Sequence, residues 1–116
     1  MDYVLIGFAA SFGALVRWSL AKTFNPNGTI DFSVLAANVM GTFLLGFVLN
    51  LDLSDSQKLL LGAGFCGALT TFSTFSYSVF TKLVEKKFYA ALLEIAANVI
   101  CCTLAWCAGV FAVRFL

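Results

Sequence analysis

Gly67-Ala68-Leu69-Thr70-Thr71-Phe72-Ser73-Thr74-Phe75-Ser76 carries five hydroxyl side chains within seven positions, with two phenylalanines set among them. The stretch lies inside residues 59–81, a run of 23 residues without a charge. A helix rises ~1.5 Å per residue, so about 20 residues cross the hydrocarbon core of a bilayer. Thr, Ser and Gly are poor residues for sustaining such a helix against lipid, and hydroxyls compete for its backbone hydrogen bonds. The pattern predicts a membrane helix broken mid-membrane. Non-helical backbone at that depth is tolerated only where it is buried in protein or lines an aqueous path. A break exposes a carbonyl end and an N–H end, which suit a cation and an anion respectively. The plainer alternative is an intact helix whose hydroxyls bond back to the preceding turn.

Phe72 and Phe75 are three apart and share one helix face. An aromatic ring has a negative face and a positive edge, so an edge-on ring attracts an anion without the strong hold of a cationic side chain. The chain has 13 Phe, and packing explains most of them. Their place inside the polar stretch sets these two apart.

Working outward, the 13 charges fall at positions 2, 17, 22, 31, 52, 55, 58, 82, 85, 86, 87, 94 and 114. Between them lie further uncharged runs at residues 3–16, 32–51 and 95–113. The first becomes a span, roughly Tyr3 to Thr23, if it tolerates Arg17; the last begins nearer Phe88 if it tolerates Glu94. With no basic stretch before it, the first run reads as a retained helix rather than a signal peptide. The expected fold is all-α: a single domain over residues 1–116 with four transmembrane helices, of which the third is broken. The joints are short. Asn25-Pro26-Asn27-Gly28 is a turn signal, residues 52–57 suit an N-cap for a helix starting near Lys58, and Glu85-Lys86-Lys87 closes the third hairpin.

Hydrophobic residues make up 61% of the 116 and charged residues 11%. A soluble domain carries about 25% charge, so a soluble monomer of this composition would expose large apolar patches. Histidine is absent, which removes imidazole triads, metal sites and proton relays. Nothing in the chain pairs a nucleophile with a base, and an enzyme is not expected. Cys66, Cys101, Cys102 and Cys107 fit no zinc spacing and read as small packing residues. Gly62-Ala63-Gly64-Phe65-Cys66-Gly67 matches G-x-G-x-x-G, but inside an uncharged membrane run it serves close helix packing rather than a dinucleotide.

Other polar groups form stripes. Asn38, Gly41, Thr42 and Gly46 share a face of the second helix, and Glu94, Asn98, Cys102 and Ala105 share one of the fourth. Polar groups in membrane helices face the bundle or a wet cavity. Arg17 either draws anions toward a mouth or snorkels to the interface. Lys and Arg divide two against four between the two sides of a four-helix chain, with Arg17 deeper on the side of the four. So weak a bias leaves both insertions open.

Gly13-Ala14-Leu15-Val16-Arg17-Trp18, Asn38-Val39-Met40-Gly41-Thr42-Phe43 and, most specifically, Gly64 through Phe75 resemble the Fluc (CrcB) fluoride channels of microorganisms. The resemblance covers the whole chain in length, helix number and motif order. It implies an antiparallel dual-topology homodimer in the cell membrane, with two fluoride pores and a structural Na⁺ at the paired breaks of the third helices. By motif match, Phe72 and Phe75 would be the pore phenylalanines, and Ser73 and Thr74 would line the anion path. Backbone carbonyls of Gly67 and Thr70 would hold Na⁺, Asn38 would sit on the path, and Arg17 near a vestibule. In the fourth helix, family members carry a hydroxyl track where this chain offers Glu94, Asn98 and Cys102. The implied function is passive, fluoride-selective export that relieves fluoride toxicity. The implied partners are fluoride, the lipid bilayer and a second copy of the chain, with no nucleic acid. The alternative is a small multidrug-type proton-coupled transporter, which needs a membrane-embedded acid; Glu94 is the sole internal one. A structural subunit of a larger complex is a further alternative, but it would not need a hydroxyl-rich break flanked by Phe.

Overall fold

The computed structural model describes residues 2–24 and 27–116, so the Asn25-Pro26 half of the first predicted turn lies outside the described residues. Among the described residues all regular structure is helical. Four segments are long and apolar enough to cross a membrane: Asp2–Thr23, Phe32–Leu49, Asp55–Val84 and Phe88–Phe115. The first two are α1 (Asp2–Thr23) and α2 (Phe32–Leu49). The third is composite. α3 (Asp55–Lys58) continues into a π-helix (Leu59–Cys66) and then α4 (Gly67–Leu69); Thr70 is extended (φ −75°, ψ 153°), and α5 (Ser73–Val84) follows. The last is α6 (Phe88–Ala112), closing in a 3₁₀ turn at Val113–Phe115.

The ends are set by local chemistry. Asp31 caps α2, its Oδ1 accepting the N–H groups of Ser33 (3.1 Å) and Val34 (3.4 Å). Ser54 and Gln57 form a capping box, so the helix starts at Asp55, earlier than the charge pattern suggests, because Ser54 rather than a residue nearer Lys58 satisfies the first free N–H groups. α5 ends with Lys86 in the left-handed region (φ 59°). There the N–H of Lys87 donates to the Lys82 carbonyl (2.8 Å) and that of Lys86 to the Leu83 carbonyl (3.0 Å), which reverses the chain into α6.

Lipid removes the hydrophobic drive between helices, so they hold together through close packing at small residues and through polar contacts. Glycines let α2 and α6 touch backbone to backbone. A Cβ on Gly46 would lie 2.7 Å from the Trp106 carbonyl oxygen, and one on Gly109 would collide with the Phe43 carbonyl. Gly13 of α1 fits in the same way against Phe65, and Gly64 lies against Ile6 of α1, where an added Cβ would be 3.0 Å from the carbonyl oxygen. Gly41 of α2 seats the Thr70 methyl. Gly13 is the one buried residue of α1 among those described, and that helix presents Tyr3, Leu5, Phe8, Phe12 and Leu15 outward.

Candidate polar path through the bundle

The interruption after α4 is held open by a side chain from another helix. Asn38 of α2 accepts the Thr71 N–H at Oδ1 (2.8 Å) and returns a bond from Nδ2 to the Thr71 carbonyl (3.3 Å). The amide thus pairs with Thr71 much as a neighbouring strand would. Thr71 is 8% exposed. Its hydroxyl donates to Thr74 Oγ1 (3.1 Å), lies 3.3 Å from Ser73 Oγ and accepts the Thr74 N–H (3.2 Å). In this way the first turn of α5 is capped by a hydroxyl three residues back.

These bonds free two carbonyls. In a continuous helix the N–H of Thr71 would serve Gly67 and that of Thr74 would serve Thr70. Here both donate to side chains instead. Gly67 and Thr70, the residues named above for Na⁺, therefore present carbonyl oxygens without a helical donor. Gly67 lies on an exposed face, and a Cβ there would meet only the Gly62 carbonyl, at 3.7 Å. Uncapped carbonyl oxygens are the donor type a hard cation takes, so these residues fit the ion.

From Asn38 the polar chain crosses to α6. Nδ2 also donates to Asn98 Oδ1 (3.1 Å), and Asn98 donates to the Glu94 carbonyl (3.0 Å). One turn away Thr42 of α2 lies beside Cys102 of α6. The stripes on the second and fourth helices thus face each other across one seam. Glu94 is fully buried. Its Oε2 receives the Lys82 ammonium of α5 and the Asp31 N–H (3.3 Å), and Lys82 also donates to Ser78 Oγ (2.9 Å). Two cavities open beside this chain. One of about 460 Å³ is lined by Asp31, Thr74, Tyr77, Ser78, Thr81 and Lys82, among others. Another of about 360 Å³ is lined by Arg17, Trp18, Ser33, Ala37, Thr71 and Thr74, among others.

The structure therefore gathers Asn38, Ser73 and Thr74 around Thr71 and puts Arg17 on the wall of a cavity that reaches Thr71 and Thr74. Phe72 and Phe75 pack with ring centroids 5.9 Å apart and planes tilted by 45°; Phe72 is 79% exposed and Phe75 half-buried. Sequence reasoning missed Thr71 as the centre of the cluster and missed the Lys82–Glu94 pair. Its only signal was one cation and one acid on either side of the third hairpin.

Together these features define a small multi-span helical membrane protein with a continuous polar seam, bordered by paired phenylalanines. The CrcB-like protein family, Camphor Resistance (CrcB), matches residues 4–110, and the chain belongs to that family. Relatives named "Fluoride-specific ion channel FluC" include one from Haemophilus ducreyi, 42% identical over 101 residues that cover 86% of this chain and 82% of the relative. A second, from Methanocaldococcus jannaschii, is 41% identical over 105 residues, covering 87% and 85%. A third, from Acinetobacter baumannii, is 38% identical over 119 aligned positions, covering 97% and 94%.

Proposed function

We propose that this chain forms a passive fluoride-selective channel that lets fluoride leave the cell across its membrane. The observation that carries the reading is the hydrogen-bonded seam from Ser73 and Thr74 through Thr71, Asn38 and Asn98 to Glu94, beside the Phe72–Phe75 pair, in a chain whose relatives carry the fluoride-channel name. Fluoride is small and strongly hydrated, so a pore must replace its water with closely placed donors. Hydroxyls of Ser73 and Thr74 supply donors beside Asn38, whose own amide protons hold Thr71 and Asn98 in place, and the exposed ring of Phe72 offers a weak partner. Arg17 raises the local anion concentration at the smaller cavity. A negative-inside potential drives anions outward, so the flow needs no coupled energy source.

The active form on this reading is an antiparallel homodimer assembled in both orientations, with the third span broken at membrane depth. The exposed Gly67 face and the outward Phe72 support it, because a second copy would cover both. Gly67 and Thr70 carbonyls from the two copies would bind Na⁺, which supplies a fixed positive charge between neighbouring anion paths. A proton-coupled drug transporter fits less well, because its one embedded acid, Glu94, is committed to Lys82.

Purified protein in potassium-fluoride-loaded liposomes should release fluoride once a potassium ionophore is added, and liposomes that retain it would refute the channel. A C-terminal tag should be reached from both sides of the cell membrane; labelling from one side alone would remove dual topology. Exchange of Na⁺ for a bulky organic cation throughout purification should lower the activity, and full activity without Na⁺ would remove the ion site.

A further inference from the structure

The larger cavity leads to a lysine that the seam from Asn38 to Thr71 does not use. Lys82 is 7% exposed, yet its side chain lines the cavity together with Tyr77, Ser78, Thr81 and Lys87. An ammonium has three protons to donate. Among the described residues, one goes to Ser78 Oγ and one to Glu94. Ser78, having accepted from Lys82, keeps its own hydroxyl proton. Thr81, by contrast, has committed its proton to the Tyr77 carbonyl (2.9 Å). Two donors, the third Lys82 proton and the Ser78 hydroxyl, are therefore available side by side to a small anion in the cavity.

We propose that Lys82 and Ser78 form an anion-receiving site at the mouth of the path, and that Glu94 sets how weakly this site holds its anion. The proposal rests on the channel reading only for where the anion goes next. The neighbouring charges explain why the counter-charge matters. Lys87 and Glu85 at the rim pair with each other (2.8 Å), and Asp31 spends its Oδ1 on Ser33 and Val34. Lys82 is thus the one buried cation beside the cavity among the described residues, and alone it would hold an anion tightly. Glu94 lies behind it, fully buried, with Oε1 accepting no hydrogen bond among the described residues, so its charge is little offset except by Lys82. A conducting site must bind well enough to admit an ion and loosely enough to release it. The buried carboxylate supplies the loosening, because it repels whatever anion Lys82 attracts.

The test is a calorimetric titration of purified protein with sodium fluoride against sodium gluconate, beside fluoride release from liposomes. Glu94→Gln should bind fluoride roughly tenfold tighter, or more, once the facing negative charge is gone, and should release it from liposomes more slowly. Lys82→Met in the Glu94→Gln background should lose that added affinity. Ser78→Ala leaves the ion pair intact and should bind fluoride severalfold more weakly than wild type, which keeps the test open if the Glu94 variants do not assemble. Unchanged or weaker binding in Glu94→Gln, tight binding that survives in the double variant, or wild-type affinity in Ser78→Ala would each overturn the proposal. Wild-type protein that moves no fluoride while Glu94→Gln still binds it tightly would overturn the channel reading and leave this site standing.

Discussion

Asn38 and Thr71, 33 positions apart in sequence, exchange hydrogen bonds through both a backbone amide and a backbone carbonyl. An asparagine on α2 thereby replaces the helical partners that Thr71 lacks after α4. Both protons of the Asn38 amide are spent on Thr71 and Asn98, so its removal acts on flux through the break and the seam it holds together.

Asn38→Ala leaves the Thr71 N–H without an acceptor, which costs about 1–3 kcal/mol. The variant should melt at a lower temperature in detergent and carry less fluoride. Asn38→Asp keeps the acceptor for Thr71 but turns a repelling oxygen toward Asn98 Oδ1 and the Thr71 carbonyl. It should lose flux at least as severely as the alanine variant. Wild-type melting and flux in both would deny the amide any role at the break.

Phe72→Ile and Phe75→Ile should nearly abolish fluoride release while the protein still elutes at the wild-type size. Within one subunit Phe72 is 79% exposed, so the subunit fold loses little packing with its ring, and a silent but folded variant is the expected outcome. Phe8→Ile on the outward face of α1, where the ring is 66% exposed, should carry fluoride normally. Wild-type rates in well-folded Phe72 and Phe75 variants would remove the rings from the path.

Gly109→Ala should destabilise the bundle, since the new methyl would strike the Phe43 carbonyl where α2 and α6 touch. Gly7→Ala should be neutral or stabilising by up to about 1 kcal/mol, because a methyl there meets nothing within 4 Å and alanine favours the helix. Equal melting temperatures for the two variants would contradict the close α2–α6 contact.

Lys86→Gly should stabilise the protein by about 1 kcal/mol, because a side chain in the left-handed region is strained and glycine is not. Thermal unfolding in detergent reads this directly, and a lowered melting temperature would argue against the backbone reversal at the α5–α6 joint.

Charge spacing located the four spans because each contains a long uncharged run, although two runs stop short of the helix ends, at Arg17 inside α1 and at Glu94 inside α6. The hydroxyl cluster overlaps residues 70–72, which lie between α4 and α5. Which hydroxyl turns inward was not legible: Thr70, Thr71, Ser73 and Thr74 look alike in sequence, and the bonds from Asn38 single out Thr71. The π-helix at Leu59–Cys66 carries no apolar period that would announce it. The Lys82–Glu94 contact depends on how α5 and α6 rotate after the Lys86 turn, and residue types alone do not contain that angle.

The same contact bears on how the chain enters the bilayer during synthesis. A lone charge at the centre of a span costs about 2.5–3.5 kcal/mol to insert, and Glu94 delivered by itself would meet part of that cost. α5 and α6 are joined by a turn of only three residues, Glu85 to Lys87, so Lys82 reaches Glu94 as soon as the two segments lie side by side. In a glycosylation-mapping assay, α6 alone should insert less efficiently than the α5–α6 pair, and Lys82→Ala should reduce the pair's advantage. For biogenesis, the second half of the chain is then a single hairpin that the insertion machinery must release whole.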